Sequence, residues 1–74
     1  MEKFVTLHRS DVEPLKQKQS VIVTEGKKVR EIMKEVGAPE GYSLVSPKTR
    51  FKIAPSDFLD RHVEQHDVVQ MVKD

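Results

Sequence analysis

The sequence predicts an α+β domain in which one helix packs across a mixed sheet of four or five strands. Two observations carry this. Val29, Ile32, Met33 and Val36 recur at i, i+3, i+4 and i+7, which lines up a single apolar stripe on a helix. Around that stretch lie short segments in which apolar and polar residues alternate, the pattern of half-buried strands. A helix with one apolar face needs a surface to cover, and a sheet built from these segments supplies it.

Taken in order, Phe4 to His8 alternates with Val5 and Leu7 on one face, predicting a strand over 4–8. Arg9 to Gln19 carries Ser10, Asp11, Pro14 and the polar run Lys16-Gln17-Lys18-Gln19, a connection long for a hairpin. Val21, Ile22 and Val23 predict a second strand over 20–24. Thr24 is then placed to cap a helix over 26–36, whose opposite face carries Lys27, Arg30, Glu31, Lys34 and Glu35. Gly37 stands where a left-handed C-terminal residue is wanted, and Pro39 follows. Glu40-Gly41 turns into a strand over 42–45, stopped by Ser46-Pro47. Phe51 and Ile53 alternate with Arg50 and Lys52, which predicts a strand over 50–53 with Phe51 in the core. Pro55-Ser56-Asp57 opens a helical turn, Ser56 as its cap and Phe58 and Leu59 as inward anchors. A polar turn through Glu64 to Asp67 leads into the last strand, 68–72, with Val69 and Met71 on one side and Gln70 and Val72 on the other. That strand is expected beside the first and parallel to it.

Composition narrows the function classes. The 74 residues leave room for one domain, 1–74, with a small core. Thirteen Lys and Arg against 12 Asp and Glu give a net charge of +1, with the signs interspersed. That balance offers no strong field to a phosphate backbone or an anionic membrane. There is no cysteine, so disulfides and thiolate metal sites are excluded. The longest apolar run, Val21 to Val23, is too short to span a bilayer, and Met1 to Thr6 does not read as a signal peptide. These features predict a cytoplasmic monomer.

Several stretches resemble the ubiquitin-like β-grasp family: the strand ending in Val23-Thr24, the helix from Val29 to Val36, and Gly37 to Tyr42 entering the third strand. Ser56-Asp57-Phe58 is similar to the Ser-Asp-Tyr turn of ubiquitin, and Asp67 to Val72 to its last strand. The resemblance covers nearly the whole chain, and it is nearest to bacterial ubiquitin-like modules of the multiubiquitin type, encoded near activating and conjugating enzymes. It implies a β-grasp fold and a docking surface on the sheet face away from the helix. Carriers and modifiers of the family end in Gly-Gly; this sequence ends Met71-Val72-Lys73-Asp74. The expectation is therefore a non-catalytic module that docks another protein. A modifier or sulfur carrier whose tail is absent from this chain is the alternative.

If Leu44, Val69 and Met71 point inward, Val45 and Val72 point outward on neighbouring strands, with Gln70, His8 and Lys48 around them. These five are the expected protein-binding residues. His62 and His66, four apart, would share a face of a helix and could hold zinc with Asp60, Glu64 or Asp67. The segment reads instead as a turn into a strand, so no metal or cofactor is expected. Catalysis is not expected either: the serines sit in strands, turns and caps with no His–carboxylate arrangement forecast beside them, and Asp57 and Asp60 read as turn-capping carboxylates. Lys48, Arg50 and Lys52 around Phe51, extended by Lys16 and Lys18, suggest weak nucleic-acid binding, but single-strand binders use several stacking rings on an open sheet. Nucleic acid is the lesser reading.

Overall fold

The structure, a computed structural model, describes residues 2–74; Met1, the first residue of the signal-peptide reading, lies outside them. Among the described residues the chain forms β1 (Lys3–His8), β2 (Lys18–Val23), α1 (Val29–Glu35), β3 (Tyr42–Val45) and β4 (Val68–Lys73), with short 3-10 helices at Pro14–Lys16 and Leu59–Arg61. The four strands make one mixed sheet in the order β2-β1-β4-β3. β1 pairs antiparallel with β2, β4 runs parallel to β1, and β3 returns antiparallel to β4.

One face of this sheet carries the core. Val5 and Leu7 of β1, Val23 of β2, Leu44 of β3 and Val69 and Met71 of β4 form a buried cluster with Val29 and Ile32 of α1. Met33 and Val36 pack against its margin half-buried. Ile53, Leu59 and Val63, all from the connection between β3 and β4, complete it. Burying each such side chain contributes about 1.5–3 kcal/mol against the conformational entropy of ordering it.

The two ends of α1 are fixed differently. At its C-terminus Gly37 takes φ +70°, its N–H donates to the Lys34 carbonyl at 3.1 Å, and the Ala38 N–H donates to the Met33 carbonyl at 2.9 Å. These are the paired bonds of a Schellman closure, and the left-handed residue it needs is a glycine. At the N-terminus the helix starts at Val29, later than 26, because Gly26 turns the chain at φ +82° and Lys28 is extended. Thr24 caps nothing with its side chain in this structure; its backbone carbonyl accepts from the Lys27 N–H at 3.3 Å. The Val29 and Arg30 amides donate instead to the carbonyls of Asp57 and Pro55, at 2.9 and 3.0 Å. A distant segment thus does the work of a local cap.

The segment 50–53 is not a strand. Its pairing is one isolated bridge between Val45 and Lys52, with the Ile53 N–H on the Leu44 carbonyl at 2.7 Å. Upstream the chain folds on itself. Buried Ser46 accepts the Lys48 and Thr49 amides on Oγ, and its carbonyl takes the Arg50 N–H at 2.9 Å. Phe51 returns its carbonyl to the Ser46 N–H, also at 2.9 Å, and its ring is 76% exposed, not in the core. Ile53 alone carries the burial of this stretch. The next turn also differs from expectation. The 3-10 helix begins at Leu59 after Phe58, and the cap-like carboxylate belongs to Asp57, not Ser56. Asp57 accepts the Phe58 N–H on Oδ1 and meets His62 Nε2 on Oδ2, both at 2.8 Å. This is a His–carboxylate pair where none was forecast. The Lys3 ammonium then fastens the connection to β1, donating to the carbonyls of Asp60 and Val63 at 2.7 and 2.8 Å.

The long connection after β1 is tied down by charge. The Arg9 guanidinium bonds Asp11 Oδ1 at 2.7 Å and the Tyr42 hydroxyl at 3.0 Å, and lies 4.4 Å over the Tyr42 ring. The Tyr42 hydroxyl in turn donates to the Asp11 carboxylate. The Arg9 and Tyr42 hydrogen bonds hold the Asp11 carboxyl below the usual carboxylate range. His62 does the same for Asp57, and Lys48 for Glu64.

Two tests follow from this architecture. Leu59→Ala should lower unfolding stability by about 2–5 kcal/mol, a large part of what so small a domain possesses, whereas Phe51→Ala should stay within about 0.5 kcal/mol of wild type in urea melts. A carboxyl whose folded pKa is depressed stabilises the fold above its unfolded value of about 4, and that stability is lost as pH falls through the depressed value. Stability should therefore drop below about pH 4, and Asp11→Asn, less stable at neutral pH, should show a shallower acid dependence. Equal acid slopes for variant and wild type would contradict the Arg9–Asp11–Tyr42 assignment.

Candidate interaction surface

Successive residues of a strand point to opposite faces, so every residue buried against α1 leaves its neighbours on the other side. That side presents Ile22 and Ser20 from β2, Phe4, Thr6 and His8 from β1, Val68, Gln70 and Val72 from β4, and Ser43 and Val45 from β3. Register sets them in rows. Ile22 stands beside Phe4, Ser20 beside Thr6 beside Val68, Lys18 beside His8 beside Gln70 beside Val45, and Val72 beside Ser43. Apolar side chains consequently run diagonally across the sheet, from Ile22 and Phe4 through Val68 to Val45 and Val72. Phe4, Ile22 and Val68 are 51%, 46% and 48% exposed, while Val45 and Val72 are half-buried. Polar groups interrupt the diagonal, and two of them are joined, His8 Nδ1 lying 2.8 Å from Gln70 Oε1.

At one end the band dips into a shallow depression lined by Val45, Pro47, Val68, Gln70, Val72 and Arg50. Arg50 holds φ +66°, a conformation that costs a non-glycine residue energy. The internally bonded turn from Ser46 to Phe51 keeps it there.

Of the five expected binding residues, the structure brings Val45, Val72, Gln70 and His8 onto this face. Lys48 does not line the depression. Its ammonium pairs with Glu64 Oε1 at 2.7 Å, and Arg50 lines the site instead. Phe4, Ile22 and Val68 were not among the expected residues, although the alternation that buries Val5 and Leu7 sends Phe4 to the opposite side.

The other candidate chemistries find less. Lys52 pairs with Asp74 at 3.1 Å, so two of the three cations around Phe51 have acidic partners. His62 ends a 3-10 helix bonded to Asp57, and His66 sits at φ +67° in the turn before β4, so the two do not share a helical face. Among the described residues, no group of three or more His, Cys, Asp or Glu is placed to hold a metal ion. Nor is any helix long and apolar enough to cross a membrane.

No family model and no curated protein matches this sequence. Solved structures do. One described as "Molecular Mimicry of SUMO promotes DNA repair" superposes with a TM-score of 0.71 at 18% identity, covering 96% of this chain and 90% of that one. The EccD5 ubiquitin-like domain from Mycobacterium xenopi superposes with a TM-score of 0.57 at 14% identity, covering 100% and 98%. Together with the strand order and the single helix, these likenesses establish that the chain has the ubiquitin-like β-grasp fold.

Proposed function

We propose that this domain is a non-catalytic protein-interaction module that docks a partner through the open face of its sheet. The observation that carries the reading is the exposed apolar band, with Phe4, Ile22 and Val68 each about half exposed on one face. Burying three such side chains against a partner would contribute several kcal/mol to association, and apolar surface grouped on one face marks binding sites better than scattered residues do. Val45, Val72, Gln70 and His8 extend the band, and Arg50 supplies a cation at its edge in place of Lys48. Ubiquitin-like domains generally bind proteins, and the shared fold of the SUMO mimic and the EccD5 domain supports a module of that kind. The pairing of Lys48 and Lys52 with acids weakens the nucleic-acid reading.

The test compares partners captured by wild type with those captured by Val72→Asp and Val68→Asp, after circular dichroism has confirmed that both variants remain folded. Each variant should lose the specific partner at least tenfold, since a buried unpaired carboxylate costs more than the 1.4 kcal/mol that tenfold represents. Binding should change little between low and high salt, whereas a phosphate-binding module would weaken steeply. Recovery of the same partners at the same yield by wild type and both variants would remove the open face from the account.

A further inference from the structure

The open face carries charge as well as apolar surface, and the charge is of one sign. Among the residues that the four strands direct outward, Lys18 is a permanent cation, His8 is titratable, and none is an Asp or Glu. Of the acids that flank the strands, Glu2 and Glu25 stand at the far end, beyond Phe4 and Ile22. Asp67 accepts the Glu64 N–H at 2.8 Å, and Asp74 is held by Lys52. Arg50, beyond Gln70 in the depression, adds a second cation. On the helix side, Arg9 and Asp11 close on Tyr42, and Lys16 lines a hollow at the C-terminal end of α1. What remains is an acid-free row of Lys18, His8 and Gln70, side by side on β2, β1 and β4.

The bond within this row fixes what His8 offers. Gln70 Oε1 only accepts, so His8 Nδ1 carries the hydrogen and donates to it at 2.8 Å. In the neutral ring Nε2 is then a bare acceptor; in the imidazolium it is a donor, and among the described residues nothing answers it. The Lys18 ammonium beside it likewise has no acidic partner. Two neighbouring cations repel each other, and a carboxylate seated over both removes the repulsion and accepts from both. Val68, 48% exposed, is the diagonal neighbour of His8 across the parallel pair, so an aliphatic side chain next to that carboxylate falls on it. A phosphate backbone fits less well, because Lys48 and Lys52 are already paired and Lys18 and Arg50 lie at opposite ends of the row. We propose, resting on the docking role of the open face, that the partner presents a carboxylate side chain to Lys18 and His8 with an aliphatic neighbour on Val68, and that protonation of His8 tightens its hold. Imidazole gains its proton as pH falls from about 8 to about 5, and an aspartate stays ionised down to about 4, so binding strengthens across that window. One ion pair at the rim adds little salt dependence to an apolar dock.

The full chain, methyl-labelled for NMR, is titrated with three blocked peptides of one design, valine and leucine flanking a central aspartate, asparagine or phosphoserine. The aspartate peptide should shift the Val68 methyls saturably and bind about threefold tighter at pH 5.5 than at pH 8, while the asparagine peptide should not respond to pH. His8→Gln should abolish the pH response. Lys18→Gln should weaken the aspartate peptide at both pH values and leave the asparagine peptide unchanged. Both side chains project from the open face and not into the core, and amide spectra of the variants check that the fold is kept. Equal pH responses for the aspartate and asparagine peptides, or an aspartate response that survives His8→Gln, would overturn the proposal. A phosphoserine peptide more than about tenfold tighter than the aspartate peptide at pH 7 would assign the row to phosphate and overturn the carboxylate. Shifts confined to Leu7 and Val12, or none at all, would remove the open face and this proposal with it, whereas loss of acid selectivity alone would leave the docking role standing.

Discussion

The first and last strands lie side by side at the centre of the sheet, and every other placement in the molecule depends on that parallel pairing. β4 gives one edge to β1 and the other to β3, so without it β3 would have no partner and α1 only part of a surface to cover. Its inward residues Val69 and Met71 both belong to the buried core, Val69 fully enclosed and Met71 at its margin with 7% exposure. Because side chains alternate, a slip of one residue in this pairing would bury Val68, Gln70 and Val72 and expose Val69 and Met71. The cost of that exchange is what keeps the apolar band on the open face.

The connection between β3 and β4 is long and mostly irregular, yet it is structural and not merely a link. Its residues Ile53, Leu59 and Val63 close the core, its carbonyls at Pro55 and Asp57 cap α1, and its carbonyls at Asp60 and Val63 hold the Lys3 ammonium. A small domain without disulfides gains order by spending one segment on three such tasks. The division also separates the surfaces. The open face is left free for docking, while the helix side keeps a cavity at the end of α1 that the core does not fill.

Much of this was legible in the residues. The stripe from Val29 to Val36 and the Gly37 stop are local signals with strong physical causes, and Phe4 to His8 shows the alternation that a half-buried strand requires, whereas Val21 to Val23 is read from a continuous apolar run. Two things were not legible. Phe51 and Ile53 alternate like a strand, but two apolar residues cannot distinguish a strand from a turn with one anchor, and the hydrogen bonds of Ser46 decide for the turn. The start of α1 was misplaced because its cap comes from residues 55–57, and no local pattern around Thr24 reports a cap supplied from so far along the chain. On the open face, the outward placement of Val45, Val72, Gln70 and His8 follows from alternation, while the choice of that face for docking comes from the family resemblance. The place of Lys48 does not follow, since its pairing with Glu64 depends on how the two turns meet.

The central claim is the parallel register of the first and last strands. Nuclear Overhauser contacts between backbone protons test it directly. The account predicts contacts linking Thr6 with Val68, Leu7 with Val69 and His8 with Gln70 in a parallel pattern, together with extended chemical shifts from 68 to 73. An antiparallel pattern, a register moved by one residue, or helical shifts in that stretch would contradict it.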